Sequence, residues 1–136
     1  MTRTFEILPA ARSWPPEAEH IAQALAADAR RPPVQAAVSL LLQLGPSFWA
    51  RPDLTKFYNP TQAGMFVDWD LLEIALDDYQ VPASHGEHAV VALAASLAGE
   101  AEVDLEWALG HLTPELVDAF VDAARHAAAQ STEDET

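Results

Sequence analysis

The chain has 136 residues, half of them apolar, and a net charge of −14. This length and apolar content suffice for one domain with a core of its own. The sequence contains no cysteine, which excludes disulfides, thiolate metal sites and cysteine nucleophiles.

The charge is divided unequally along the chain. Residues 1–56 carry six basic and five acidic side chains, whereas residues 57–136 carry one basic and sixteen acidic side chains. The two parts therefore have net charges of +1 and −15. Because affinity for a phosphate backbone comes from Lys and Arg, we expect no direct binding of nucleic acid. The acidic part either keeps the protein in solution or attracts a basic partner.

Residues 1–12 predict a short extended arm, since Phe5 and Ile7 alternate with polar residues and Pro9 closes the segment. The same residues hold no apolar run before a small-residue cleavage site. We therefore expect no signal peptide and a cytoplasmic location.

Two helices are expected after the arm. The first begins within residues 14–17, with Ser13 as a candidate N-cap, and stops at Pro32. The second runs over about residues 33–44 and ends at Gly45. A link this short predicts an antiparallel or sharply angled helix pair.

Residues 46–67 lack periodicity and contain five of the eleven aromatic residues. Proline and glycine interrupt this aromatic segment, so an irregular loop is expected. Aromatic and arginine side chains are enriched at the centres of protein interfaces. The alternative is that the rings complete the core. The predicted partner-binding residues are Phe48, Trp49, Arg51, Phe57, Tyr58 and Phe66.

A helix is predicted over residues 68–79, with Asp68 as its cap. Its apolar residues share one face. Three acidic side chains define the opposite face, which is expected to be solvated. These are Asp70, Glu73 and Asp77.

The stretch 84–99 predicts a buried central helix. Ser84 and Glu87 fit a capping box, and Gly99 provides the stop. Residues 89–98 contain one polar side chain, so neighbours should cover the helix on most sides. Ten such residues cannot span a bilayer, which needs about 20, and we expect no membrane partner.

Two further helices complete the chain. A short one follows the cap Asp104 and ends at Gly110, and the last one opens at Thr113. Residues 130–136 are polar and acidic and are expected to form a flexible tail.

Together these elements predict an all-α fold. We expect a single domain over residues 1–129, built as a bundle of five or six helices around the central helix. The aromatic segment would join the first two helices to the rest.

The sequence contains one group that resembles a metal site, formed by His85, Glu87 and His88. It supplies two local histidines, and Glu87 is expected to be engaged in capping. Paired carboxylates are common but lie on faces patterned as solvated. No phosphate-binding glycine loop, calcium loop or Gly-x-Ser-x-Gly turn is present. We therefore assign no catalytic residue, metal or cofactor.

The absence of a catalytic constellation, the aromatic segment and the uneven charge favour a non-enzymatic, acidic helical module that binds a protein partner. Self-association as a homodimer is a further expectation. The first alternative is an inhibitor that mimics nucleic acid and blocks a DNA-binding or DNA-cutting enzyme. The second is a small enzyme or ligand carrier with a pocket beneath the aromatic segment.

Overall fold

The computed structural model describes residues 5–8 and 13–134, with side chains described as far as residue 128. The chain is mostly helical, with eight helices and one two-stranded sheet in the part that the structure describes. None of these helices is both long and apolar enough to cross a bilayer. The elements in chain order are α1 (Pro16–Asp28), α2 (Pro32–Leu42), α3 (Pro46–Trp49), α4 (Pro52–Thr55), β1 (Tyr58–Pro60), β2 (Met65–Val67), α5 (Trp69–Asp77), α6 (His85–Leu97), α7 (Leu105–Gly110) and α8 (Pro114–Asp134).

The helix starts follow local sequence signals. Asp68 and Asp104 cap α5 and α7, each accepting a hydrogen bond from the backbone N–H three residues later at 3.1 Å. At α6 the capping box is complete: Ser84 Oγ accepts from the Glu87 N–H at 3.1 Å, and Glu87 Oε1 accepts from the Ser84 N–H at 2.8 Å. Helix α1 starts at Pro16, within the predicted residues 14–17, but its N-cap is Pro15 and not Ser13.

The aromatic segment is not irregular, which corrects the sequence-based expectation. It folds into α3, α4 and an antiparallel hairpin in which Tyr58 pairs with Val67 and Pro60 with Met65. Thr61 and Gly64 close the turn through a backbone hydrogen bond of 2.8 Å. Helices of four residues and strands of three are too short to show a helical or strand period, which explains why the sequence concealed them.

The core lies along α2 and α6. Every residue from 36 to 42 in α2 and from 89 to 95 in α6 is buried. Helix α6 contacts α2, α5, α7 and α8, and α2 also contacts α1 and α8. The apolar run of α6 is therefore covered by several neighbours, as the absence of a polar face requires.

The structure describes the two chain ends only in part. The predicted arm falls largely outside the described residues, and within 5–8 no strand forms while Ile7 and Leu8 pack on the core. Helix α8 continues to Asp134, so most of the predicted tail is helical. Near this end, the ring of His126 stacks on Phe5 with centroids 4.0 Å apart, and its Nε2 lies 2.8 Å from Gln35 Oε1 of α2.

His126 gives the stability a defined pH dependence. Burial lowers its pKa from the usual 6.5. The unfolded chain therefore binds this proton at a higher pH than the folded chain does. The contribution of His126 to stability is complete above about pH 6.5 and is lost as the pH falls through the lowered pKa.

Urea unfolding at several pH values between about 5 and 7.5 should show a shallower pH dependence of the free energy of unfolding for His126→Gln than for wild type. The exposed control His20→Gln should retain the wild-type dependence. An unchanged dependence in His126→Gln would contradict this assignment.

The hairpin approaches α1 so closely at Gly64 that a side chain has no room. A Cβ atom at Gly64 would collide with the backbone carbonyl of Ala24, whereas one at Gly110 would meet nothing within 4 Å. We expect Gly64→Ala to lower the free energy of unfolding by about 1–3 kcal/mol, because backbone has to move. Gly110→Ala should be neutral or slightly stabilising. Urea denaturation measures both, and equal effects of the two substitutions would show that the contact is unimportant.

Candidate functional site

The structure separates the six predicted partner-binding residues into buried and accessible ones. Phe48 and Trp49 are fully buried and Tyr58 is nearly so. Phe57 and Arg51 are partly buried, and Phe66 is 44% exposed. The first three side chains therefore belong to the core and offer no surface to a partner, in agreement with the alternative that the rings complete the core. Partner binding by Arg51, Phe57 and Phe66 stays a prediction.

The polar atoms of the buried Trp49 and Tyr58 rings have hydrogen-bond partners, which offsets the cost of burying them. Trp49 Nε1 donates a hydrogen bond to the carbonyl of Leu42 at 3.2 Å, and the Tyr58 hydroxyl donates to the carbonyl of Trp49 at 2.7 Å. The Trp14 ring meets Trp49 edge-on, with centroids 5.0 Å apart. Burial also raises the pKa of Tyr58. These contacts hold α3 and β1 against the end of α2.

Arg51 is engaged within its own segment. Its guanidinium pairs with Asp53 at 2.6 Å and donates to the carbonyl of Pro82 at 2.9 Å. It also lies over the Phe48 ring, 5.3 Å from the centroid. The hydrogen bond from Arg51 lowers the pKa of Asp53 and raises that of Arg51. These contacts connect α4 to the segment that precedes α6.

The hydroxyl of Tyr58 is expected to stabilise the fold measurably. Tyr58→Phe leaves the buried carbonyl of Trp49 without this donor, which should lower the free energy of unfolding by about 1–3 kcal/mol. Tyr79→Phe removes the same atom from a side chain that is 91% exposed and should change it little. Chemical denaturation of both variants tests the difference. If Tyr58→Phe unfolds at the wild-type midpoint, the hydrogen bond contributes nothing.

A cluster of titratable side chains lies where α5 packs against α6. Glu73 and Asp77 are one turn apart on α5, and His88 of α6 faces both. His88 Nε2 lies 3.2 Å from Asp77 Oδ1 and 3.6 Å from Glu73 Oε2. One ligand atom from each of the three residues can be chosen so that the three atoms all lie within 4.8 Å of one another. Among the described residues, this is the one group of three such side chains so close together.

Glu73 is the least solvated member of this acid–histidine cluster, with 14% of its side chain exposed. Its Oε1 atom is buried and has no hydrogen-bond partner among the described residues. Burial is the main cause that raises the pKa of Glu73, and the charge of Asp77 acts in the same direction while His88 opposes both. The expectation of a solvated Glu73 was wrong, because α6 packs over the side of α5 that carries it.

A groove opens beside the acid–histidine cluster. It has a volume of about 330 Å³, and its lining includes Asp77, His88, His85 and Trp107. The Trp107 ring meets His88 edge-on at 5.3 Å between centroids, while His85 packs against His111 at 5.0 Å. The groove therefore has aromatic walls and a polar side formed by Asp77 and the two histidines.

The sequence pattern grouped His88 with His85 and Glu87, whereas in the structure His88 lies beside Glu73 and Asp77. Glu87 is occupied by the capping box, and His85 packs on His111, so neither joins His88 in a cluster. The spacing of Glu73 and Asp77 by four residues was visible in the sequence. What the sequence did not show was that the side of α5 between its apolar and acidic faces would meet α6.

A second groove lies beneath the hairpin of the aromatic segment. Its volume is about 260 Å³, and it runs between β2 and the link from α1 to α2. Charged side chains of both signs line it together with apolar ones. The residues that matter for its chemistry are Asp28, Arg30, Arg31, Phe66 and Glu100.

Comparison of the chain with protein-family models, with curated proteins and with solved structures gives no match.

Proposed function

We propose that this protein is a non-enzymatic, acidic helical module that binds a basic protein partner. The observation that carries the proposal is a set of exposed side chains along and just after α5. Leu71 and Ile74 are 53% and 48% exposed, and Tyr79 is 91% exposed. Acidic side chains lie beside them on the same surface. This α5 face comprises Asp70, Leu71, Ile74, Asp78 and Tyr79.

The spacing of the α5 face brings its apolar and acidic members together. Ile74 lies one turn from Leu71, and it lies four residues from both Asp70 and Asp78. The apolar side chains of the α5 face would each contribute roughly 1.5–3 kcal/mol to the free energy of binding if a partner buried them fully. The surrounding carboxylates favour a partner with Lys or Arg around an apolar centre.

The backbone at Tyr79 adds a second reason to expect contact there. Tyr79 has φ of 58°, and among the described residues it is the one non-glycine with a positive φ. A left-handed conformation is unfavourable for a bulky residue. It holds an aromatic ring out in solvent at the end of α5, where tyrosine is well suited to serve as an interface anchor.

The proposed architecture supports this surface. We propose that α6 is the centre of a helical bundle, since α2, α5, α7 and α8 all contact it and its residues 89–95 are buried. Packing one side of α5 on this centre leaves the other side to solvent. The cytoplasmic location expected from the sequence and a homodimer contact remain predictions.

The α5 face is tested with two matched double variants. In Leu71→Ser/Ile74→Ser, two apolar side chains of the α5 face become polar with no change in charge. The control Leu105→Ser/Leu109→Ser alters two leucines of α7 that are 51% and 40% exposed. Immobilised full-length protein captures partners from a native lysate, and the captured protein is then purified for titration against all three chains. We expect at least a roughly tenfold loss of affinity in the α5 variant alone.

Two outcomes would contradict the α5 face as the binding site. One is equal affinity of the α5 variant and wild type, and the other is an equal loss in both double variants. Size-exclusion chromatography with light scattering shows whether the captured partner is a second copy of this chain. Circular dichroism confirms that both variants are folded, as expected for exposed positions.

Mimicry of nucleic acid is a second candidate function, because acidic residues in the region 57–136 are accessible to solvent. Nine of them between residues 70 and 118 are exposed. A charge-dominated complex should weaken steeply between about 50 and 500 mM salt and lose little affinity in Leu71→Ser/Ile74→Ser, whereas a complex anchored by Leu71 and Ile74 should weaken less with salt and depend on these two side chains. The same titrations repeated across this salt range separate the two functions.

A ligand carrier is favoured by the groove beneath the hairpin, which places Arg30 and Arg31 beside Phe66. Because Asp28 and Glu100 also line the groove, it suits a small molecule with charged groups of both signs and an apolar part. A thermal-shift screen of such metabolites tests this candidate, and the failure to find any stabilising compound would count against it.

A further inference from the structure

We propose that Glu73, Asp77 and His88 form a binding site for one divalent transition-metal ion. The site is distinct in kind from the proposed partner surface, and it stands or fails independently of that function. The juxtaposition of two carboxylates and one imidazole from two packed helices, next to a groove, is the basis of the proposal.

The distances in the cluster suit metal coordination. Ligand atoms at 2.0–2.2 Å from Zn²⁺ lie about 3.0–3.6 Å apart at angles near 90–110°. His88 Nε2 is separated from Asp77 Oδ1 by 3.2 Å and from Glu73 Oε2 by 3.6 Å. The two carboxylates are no more than 4.8 Å apart at the ligand atoms. Small side-chain rotations would therefore complete three bonds to a single ion.

The buried oxygen of Glu73 distinguishes a metal from a simple ion pair. A protonated His88 bridging the two carboxylates would account for the contacts of Glu73 Oε2 and Asp77 Oδ1. It would leave Glu73 Oε1 buried without a hydrogen-bond partner in the described part of the chain, which is costly for a carboxylate. A cation bound by both oxygens of Glu73 would satisfy this atom, and its two positive charges would offset the two carboxylates.

The chemistry of the three side chains selects the class of ion. An imidazole nitrogen with carboxylate oxygens suits Zn²⁺, Mn²⁺ or Fe²⁺, whereas Ca²⁺ and Mg²⁺ prefer oxygen ligands alone. Three protein ligands leave at least one coordination position for water or another molecule. Since Asp77 and His88 also line the groove of about 330 Å³, that position is accessible from it.

The helices hold the proposed ligands in place before a metal arrives. Glu73 and Asp77 lie four residues apart within α5, so their side chains project from the same side of the helix. His88 sits in the first turns of α6, directly after the completed capping box. The Trp107 ring packs against its imidazole. Binding would therefore order few new groups, which lowers its entropic cost.

Zinc binding by the full-length, untagged protein tests the proposal. After treatment with EDTA and dialysis, isothermal titration with Zn²⁺ should give one ion per chain, and zinc should raise the melting temperature. His88→Gln and Asp77→Asn should each weaken zinc binding at least about tenfold. The matched controls Asp78→Asn, one residue further along, and His20→Gln on α1 should bind zinc as wild type does. Co²⁺ offers a second readout, since its visible absorption reports the coordination geometry.

The proposal is overturned if wild type binds no stoichiometric zinc, or if it binds several ions weakly. It is also overturned if the control substitutions weaken binding as much as those in the cluster. Should His88→Gln fail to fold, Asp77→Asn decides the question, because 68% of the Asp77 side chain is exposed and its loss should leave the fold intact.

Discussion

The packing of α6 against α2 is the interaction on which the remaining structure depends. Both helices are buried over seven consecutive residues, 89–95 and 36–42, and alanine is prominent in each stretch. Small side chains let helix axes approach closely, and a helix with no polar face has to be covered on every side. This requirement explains why α5, α7 and α8 also contact α6, and why α8 contacts α2.

The same packing determines where polar chemistry occurs. Helix α6 changes from a polar first turn to a buried run within a few residues, and His88 lies at that boundary. The part of α5 that faces this boundary carries Glu73 and Asp77, which therefore meet an imidazole at the edge of the core. The side of α5 that carries Leu71 and Ile74 leaves both side chains about half exposed. One short helix thus presents both proposed binding surfaces.

Local signals in the sequence determined the six helices other than α3 and α4 and several of their ends. A cap at Asp68, Asp104 or Ser84 needs only residues within one turn, and the left-handed stop at Gly99 depends on the lack of a side chain. These interactions are complete within a few residues, so they can be recognised without knowledge of the fold. The mostly helical class and the burial of residues 89–95 followed from the same local patterns.

Only the tertiary structure determined which side chains are buried and which of them meet. Trp49 and Tyr58 are as suited to an interface as to a core, and in the fold both are buried with their polar atoms hydrogen-bonded to main-chain carbonyls. The hairpin pairs strands of three residues, which carry no detectable period. The sequence pattern predicts that Glu73 is solvated, but in the structure α6 packs over it and His88 lies beside it. These features depend on contacts between different helices and strands, and no pattern within one element shows which surfaces will meet.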